Sequence, residues 1–306
     1  MSSSRDQQGA SRRPLRKKMT RLPLCADTTG SAQSAPPDPP GWIGAFAERI
    51  FEAWTAGTPM PQFSAEHPEA TLADGYAVQR QVVARFAKTP GIGGFKAAGI
   101  NRAAQAAMGI DHPLIGVVPQ SGVLSAARKV LVDLADYPNR HIETEIGFRF
   151  NAPISEPVPD LAALRSLIAE IVAVVELPGG AVEKKHPHTA ADTAAWNTNA
   201  KELITGLDTL PPDALDVDAI AITLILDGET VSTGRGAEAA GGQMQTLLKC
   251  VNSIVEQGYS LQPGHVHSNG AVGTIFPAAP GDYRADFGPL GNIAFAVTDS
   301  RIKTTG

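Results

Sequence analysis

The chain has 306 residues, 43% of them hydrophobic and 19% charged, which is the composition of a globular protein. No apolar run approaches the roughly 18 residues that a membrane helix requires, and the two cysteines exclude a disulfide scaffold. Scarce cysteine is typical of a reducing compartment, so we expect a cytoplasmic protein with no membrane partner. Residues 1–30 carry seven basic and two acidic side chains, so the net charge of −5 leaves −10 on the remainder, which argues against a nucleic-acid partner.

The first predicted region is a basic, proline-rich tail over residues 1–41, which ends in APPDPPG and which we expect to be disordered. Folded structure is predicted to begin at Trp42 with an amphipathic helix that ends at Gly57. A second amphipathic helix follows a proline-containing loop, with Thr71 or Asp74 as its cap. Residues 42–90 therefore form a predicted helical N-terminal part.

Residues 91–306 have the strand-rich pattern of a second domain. Strands are predicted at GGFKAAG, VLVDL and HIETEIGFRF, with a short helix at NRAAQAAMG after the first of them. Asp160 is predicted to cap a helix that runs through LAALRSLIAEI as far as Ile171. A hairpin through Asp227-Gly228, a helix at QMQTLLKCVNSIVEQG and C-terminal strands separated by glycine turns complete the pattern, which predicts an α+β fold.

Two glutamates in HIETEIGF raise a chemical question. Alternate side chains of a strand share a face, so Glu143 and Glu145 are predicted to point one way, with Ile142 and Ile146 opposite. A third acid, Glu176, lies inside the apolar run IVAVVELPG, where a carboxylate is unfavourable unless it is paired or binds a cation. Three carboxylates without a thiolate favour Mg²⁺ or Mn²⁺ over Zn²⁺. The alternative is that the two strand glutamates form an ordinary solvated face.

Several segments, through their order and spacing, resemble the fumarylacetoacetate hydrolase-like superfamily, and within it the 2-oxopent-4-enoate hydratases and 4-oxalocrotonate decarboxylases. They extend from about Leu72 to Thr298 and read DGYAVQ, GFKAAGI with MGIDHP, HIETEIGF, VVELPG, ADTAAWN, VSTGRGAEAAGG and GDYRADFGPLGNIAF. The resemblance implies a catalytic domain over residues 91–306, built as a mixed, strongly curved β-roll with outer helices, and a homo-oligomer. It also implies a divalent-metal-dependent lyase, a hydratase or a decarboxylase, that acts on a 2-hydroxydienoate or 2-oxo acid through a metal-chelated enolate.

The same resemblance implies roles for individual residues. Glu143, Glu145 and Glu176 match metal-binding glutamates of the family. Lys96 matches the lysine of its Gly-x-Lys segment, where it could bind the substrate carboxylate or relay a proton. Without the resemblance, it would be read as a surface lysine after a glycine turn. Asp111, in the segment DHP, is the second catalytic candidate. The predicted substrate-binding residues lie in two later segments and are Asn197, His267, Ser268, Asn269 and Gly270.

Two positions depart from the family pattern. Leu114 stands where an acid is expected in the hydratases, and Trp196 replaces the aspartate of an Asp-Asn pair. These changes remove candidate proton relays and add bulk. They keep several alternatives to pentenoate hydration open: decarboxylation or a larger substrate, an acylpyruvate-type carbon–carbon hydrolase, and a binding or accessory protein that kept the fold and lost the chemistry.

Overall fold

The computed structural model describes residues 41–136 and 140–302, which lie in one compact unit spanning Pro39–Gly306. All but the last residue of the predicted tail over residues 1–41 lies outside the described residues. The helices in the described ranges are α1 (Trp42–Ala56), α2 (Phe63–Glu66), α3 (Leu72–Phe86), α4 (Arg102–Met108), α5 (Leu161–Leu167), α6 (Ala190–Ala195) and α7 (Gln243–Glu256). None of these helices combines the length and the hydropathy that crossing a bilayer requires.

The described strands form two sheets. They are β1 (Ile92–Ala98), β2 (Leu114–Pro119), β3 (Val123–Ser125), β4 (Val130–Asp133), β5 (His141–Phe150), β6 (Ile168–Leu177), β7 (Glu202–Leu210), β8 (Ala221–Leu226), β9 (Glu229–Arg235), β10 (Val266–Ala271), β11 (Phe276–Pro277), β12 (Gly281–Asp286) and β13 (Asn292–Thr298). The eight-stranded sheet has the order β2-β1-β10-β5-β6-β7-β3, with β11 also paired to β5, and the five-stranded sheet has the order β4-β13-β12-β8-β9. Both sheets mix parallel and antiparallel pairs, and the large sheet curls into a half-barrel, which confirms the predicted α+β fold.

The N-terminal helices follow directly from their sequence signals. Helix α1 buries one apolar stripe that includes Phe46 and Ile50, and it ends where Gly57 adopts the left-handed conformation, with φ at 67°. Helix α3 begins with a capping box in which Thr71 and Asp74 satisfy each other's backbone N–H groups. These helices share a hydrophobic core with residues of α6 and with Trp196. The proposed domain boundary at residue 90 stays a prediction.

The predicted helix after Asp160 is wrong in its second half. Asp160 does cap α5, but the helix ends at Leu167 and the next residues begin β6. Phe148 of β5 pairs with Ile171, so long-range strand pairing outweighs the local helical pattern here. Strands β2 and β7 and helix α6 were not predicted at all.

Candidate active site

The three glutamates of the sequence pattern meet on one face of the large sheet. Glu143 of β5 lies directly opposite Glu176 of β6 in the antiparallel register, and Glu145 follows two residues later on the same face. One carboxylate oxygen from each lies within 4.8 Å of the others. Lys96 of β1 pairs in register with Ser268 of β10, which brings its side chain to the same face. The strand alternation expected from HIETEIGF is confirmed, with Ile142 and Ile146 in the core beneath.

These polar side chains are strongly buried, and several of their oxygens are left unsatisfied. Glu145 and Glu176 are 0% exposed and Lys96 is 3% exposed. Oε2 of Glu145 accepts hydrogen bonds from Ser268 Oγ at 2.5 Å and from the Gly270 N–H at 2.8 Å. Oε1 of Glu145 and Oε2 of Glu176 have no hydrogen-bond partner among the described residues. Because an unpaired buried carboxylate oxygen is strongly unfavourable, the arrangement calls for a cation.

Lys96 supplies only part of the compensating charge. Its Nζ lies 3.0 Å from Oε1 of Glu176. Burial by itself lowers the pKa of Lys96, but Glu176, Glu143 and Glu145 together raise that pKa above its ordinary value, so the side chain is an ammonium at neutral pH.

The glutamates respond to their surroundings in the opposite sense. Burial raises the pKa of Glu143 to about 7, an effect that Lys96 opposes and Glu145 adds to. Burial also raises the pKa of Glu176 well above its ordinary value, again against the opposing influence of Lys96. Without a further cation, the cluster therefore retains protons that free carboxylates would have lost at neutral pH.

The cluster fits a divalent cation in charge, in donor type and in spacing. Three carboxylates and one ammonium leave a formal charge of −2, which one divalent ion neutralises. All the candidate ligand atoms are carboxylate oxygens, which Mg²⁺ and Mn²⁺ prefer. Their mutual separation of up to 4.8 Å is one that ligands about 2.0–2.6 Å from a shared ion can span. The metal assignment of Glu143, Glu145 and Glu176 stays a prediction that this geometry favours.

A cavity of about 530 Å³ opens onto this cluster. Lys96 and Glu143 belong to its wall, as does His141, which precedes Glu143 by two residues on the same face of β5. The other polar or charged side chains in the wall are Asn101, Lys184, His188, Thr193, Thr198 and Asn199. Apart from Glu143, no acidic side chain is among the described residues of this wall. The cavity is large enough for a small organic acid.

A strained turn presents two of the wall residues. Asn197, Thr198 and Asn199 have φ values of 54°, 50° and 57°, a run of left-handed residues in which the β-branched Thr198 is unfavourable. The Asn197 side chain holds the turn, because its Oδ1 accepts from Val117 N and its Nδ2 donates to Val117 O, both at 2.8 Å. Thr198 Oγ1 and Asn199 Oδ1 are buried without a hydrogen-bond partner in the described structure. Such unsatisfied groups in a cavity wall are suited to binding a ligand.

Residues of β10 around His267 make contacts on both faces of the large sheet. Ser268 and Gly270 contact Glu145 on the cluster side. Gly270 has φ at 96°, and a side chain there would lie 2.2 Å from Ile100, so only glycine fits. His267 and Asn269 point to the other face, where His267 Nε2 lies 3.2 Å from Asn269 Oδ1. Asn269 donates through Nδ2 to the backbone oxygen of Gln243 at 3.0 Å and to its Oε1 at 2.7 Å.

Several predicted site residues are therefore not brought to the cavity. None of Asn197, His267, Ser268, Asn269 and Gly270 is part of the described cavity wall. They lie beneath or behind it because alternation and hydrogen bonding turn their side chains toward the backbone, Glu145 or α7. Asp111 lies elsewhere: its side chain is 98% exposed and pairs with His112 Nδ1 at 2.8 Å, in a surface loop after α4. Leu114, the departure from the family pattern, is a fully buried residue of β2.

The polar wall residues that the sequence did not predict include Lys184, His188, Thr198 and Asn199. The first two were visible in EKKHPHT only as a polar loop, which most often is solvated surface. The sequence NTN gives a weak signal for the strained turn, since asparagine tolerates the left-handed conformation better than most residues. Nothing in its local pattern indicates that the turn faces Glu143.

Comparisons with known proteins agree with this architecture, although no family model matches the sequence. The chain is 25% identical over 248 residues to a 4-oxalocrotonate decarboxylase from Pseudomonas sp. (strain CF600), which covers 78% of this chain and 89% of that protein. It is 28% identical over 262 residues to a 2-keto-4-pentenoate hydratase from Burkholderia vietnamiensis, which covers 84% of this chain and 98% of that one. A 4-oxalocrotonate decarboxylase from Pseudomonas putida G7, solved with magnesium and adipate, superposes with a TM-score of 0.76 at 24% identity, over 83% of this chain and 97% of that one. These likenesses confirm the resemblance predicted from the sequence: the chain is a distant relative of proteins named as 2-keto-4-pentenoate hydratases and 4-oxalocrotonate decarboxylases.

Proposed function

We propose that the protein is a divalent-metal-dependent lyase, a hydratase or decarboxylase, that acts on a 2-hydroxydienoic or 2-oxo acid. One observation carries the proposal: Glu143, Glu145 and Glu176 converge beside a cavity with unsatisfied buried carboxylate oxygens. Relatives named as hydratases and decarboxylases, and a solved relative that contains magnesium, support the same class of reaction.

The three glutamates are the residues that would hold Mg²⁺ or Mn²⁺. A divalent ion bound there supplies Lewis-acid stabilisation of the negative charge that develops on the substrate. Glu145 is pre-oriented for this role, because Ser268 and Gly270 occupy one of its oxygens and leave the other free.

Lys96 adds a fixed positive charge at the inner end of the cavity. Its raised pKa keeps the proton on Nζ, so it donates a hydrogen bond and balances charge and does not act as a base at neutral pH. Thr198 Oγ1 and Asn199 Oδ1 offer further polar contacts that orient an oxygen-rich substrate. The burial of the cluster excludes bulk water from the charged groups, which strengthens each of these interactions.

An acylpyruvate hydrolase is less well supported. That reaction needs a base to activate water, commonly a histidine with a carboxylate partner. Within the described ranges, the histidine–carboxylate ion pair is His112 with Asp111, which lies outside the cavity wall.

The test is direct. Purified protein with Mg²⁺ or Mn²⁺ is mixed with 2-hydroxydienoates and with unsaturated 2-oxo diacids, and the conjugated absorbance is followed together with CO₂ release. Loss of dienoate absorbance without CO₂ identifies a hydratase, and release of one CO₂ per 2-oxo diacid consumed identifies a decarboxylase. An inactive protein that binds neither metal would contradict the proposal and favour the binding-protein alternative.

Two further features belong to the proposal. We propose a homo-oligomer, on the basis of the family resemblance and of the exposed apolar side chains Leu131 and Leu207, each 62% exposed. Light scattering on the purified protein tests it. A cytoplasmic location is also proposed from the low cysteine content, and fractionation of expressing cells tests it.

A further inference from the structure

The cavity wall carries two basic side chains that the proposed chemistry does not use. Lys184 and His188 belong to the cavity wall and lie in the connection between β6 and α6, which follows Glu176 directly along the chain. We propose that these two side chains bind a second carboxylate of the substrate, so that the enzyme prefers dicarboxylic over monocarboxylic acids. This inference rests on the proposed lyase function and specifies its substrate class.

One cavity is lined both by Glu143 of the glutamate cluster and by the basic residues Lys184 and His188. His141 precedes Glu143 on the same face of β5, and two residues of strand advance the chain by about 7 Å. Pro178, Gly180, Ala181 and Val182 continue the wall from the end of β6 toward Lys184. A substrate whose head group lies at the cluster therefore occupies the same cavity as the basic side chains of Lys184 and His188.

Tertiary contacts hold this connection in place. The His188 ring packs edge-on against Trp196, with 5.5 Å between ring centroids and 78° between planes. Trp196 is itself anchored, since its Nε1 donates to the Pro61 carbonyl oxygen at 2.8 Å. Gln62 Oε1 accepts from the backbone N–H of Lys185 at 2.9 Å, which fixes the chain next to Lys184. The tryptophan that departs from the family pattern thus positions His188.

The charges around the connection favour an anion. Lys185 is paired with Glu183 at 3.1 Å, whereas Lys184 makes no ion pair with any residue that the structure describes. The Lys184 side chain offers ammonium N–H donors, and His188 donates a hydrogen bond through either ring tautomer. An apolar tail would gain nothing from these groups, but a carboxylate would gain charge-assisted hydrogen bonds.

Binding of saturated acids tests the subsite without turnover. The test compares the affinities of adipate and hexanoate by calorimetry in the presence of Mg²⁺. Hexanoate has the same carbon chain as adipate and only one carboxylate. Lys184→Gln is expected to weaken adipate binding roughly 3–5-fold, the scale of an exposed ion pair, and the double variant with His188→Gln about 10-fold. Hexanoate binding should stay within about 2-fold of wild type in both variants.

Lys185→Gln is the matched control, because it removes the same charge from the same connection outside the cavity wall. Equal losses in Lys184→Gln and Lys185→Gln would show a general charge effect and overturn the subsite. So would equal weakening of adipate and hexanoate, or a wild type that binds Mg²⁺ but prefers hexanoate or binds neither acid.

A kinetic comparison separates this inference from the proposed function. The ratio of kcat/KM for a dicarboxylic 2-hydroxydienoate over 2-hydroxypenta-2,4-dienoate should fall in Lys184→Gln and stay unchanged in Lys185→Gln. Wild-type turnover of both substrates with no change in that ratio refutes the subsite alone. Failure of the wild type to bind Mg²⁺ or to turn over any dienoate refutes the lyase function instead.

Discussion

The two faces of the sheet at β5 and β10 bury polar groups in opposite ways. On one face, Glu143, Glu145 and Glu176 gather charge around a single lysine and leave carboxylate oxygens unsatisfied. On the other face, Asn269 joins His267 to Gln243 of α7 through hydrogen bonds. The first face carries more negative charge than its lysine neutralises, whereas the neutral groups of the second face bond one another and leave His267 Nδ1 without a partner in the described structure.

This contrast separates a ligand site from structural polarity. Both faces contain fully buried polar residues from the same two strands, so burial alone does not distinguish them. The unsatisfied carboxylate oxygens and the raised pKa values of Glu143 and Glu176 do.

Glu145→Gln should reduce turnover by at least about 10³-fold and weaken Mg²⁺ binding strongly, because an anionic ligand is lost where charge develops. The amide oxygen still accepts from Ser268 and Gly270, so the fold should persist. Steady-state rates, metal titration and circular dichroism measure the three quantities. Glu170→Gln, on the neighbouring strand in a surface pair with Arg149, is the control and should retain near wild-type activity.

Asn269→Leu should lower the free energy of unfolding by about 2–4 kcal/mol, because it leaves polar groups of Gln243 and His267 buried without partners. Mg²⁺ affinity of the folded protein should change less than about 3-fold, since the cluster lies on the other face. Urea denaturation and metal titration check both statements. Asn151→Ala removes an exposed hydrogen bond to Ser166 and should lose at most about 1 kcal/mol. A large loss of metal affinity in Asn269→Leu would contradict the distinction between a metal-binding face and a structural face.

Ser268→Ala should weaken Mg²⁺ binding about 10–100-fold, the scale for losing a group that orients a metal ligand. The hydroxyl contacts only one oxygen of Glu145, and Gly270 still holds the carboxylate through its N–H. Calorimetric titration measures the change. Ser166→Ala, an exposed serine on α5, should leave the affinity unaltered. Unchanged affinity in Ser268→Ala would mean that Glu145 needs no such orientation.

The two faces should respond to pH with opposite sign in metal-free protein. Glu143 has a pKa raised from 4.5 to about 7, so the folded state binds more protons than the unfolded state and stability falls as pH rises from about 4.5 to 7. Burial lowers the pKa of His267 from 6.5 to about 4, so stability falls as pH drops from about 6.5 to 4. Each change should amount to a few degrees in Tm.

Two variants show which residues cause the loss of stability at each end of the pH range. Glu143→Gln should reduce the loss toward neutral pH, to which the raised pKa of Glu176 also contributes, and His267→Gln should reduce the loss toward acid pH. Saturating Mg²⁺ should remove the loss of stability toward neutral pH, and it should leave the loss toward acid pH in place. Thermal unfolding between pH 4 and pH 8 measures both, and a profile that neither variant alters would contradict the assignments.

Asp111→Asn should change kcat/KM by less than about 2-fold, because the side chain is almost fully exposed and lies outside the cavity wall. A loss above about 10-fold would instead support the catalytic role of Asp111 that the family resemblance implied. Lys96→Gln provides the contrast, since it removes the ammonium beside Glu176 and should cost at least about 10²-fold.

The predictable part of the site depends on short-range rules. Strand alternation was enough to place Glu143 and Glu145 together, and an acid within an apolar run was enough to single out Glu176. The same rules predicted α1, α3 and α7, whose apolar stripes and caps are local. They failed at residues 168–171, where pairing with β5 outweighs a helical pattern, and at Asn269, whose partner Gln243 lies on a separate helix.

The sequence predicts which residues share a face and which acids are unfavourable to bury without a partner, because both follow from backbone periodicity and desolvation. Which face meets the cavity, and which neighbours satisfy each polar group, depends on the tertiary fold. That fold placed Lys184, His188 and the strained turn at Thr198 in the cavity wall, and it left Asp111 outside. Contacts between residues distant in sequence decide these positions, and no local pattern encodes them.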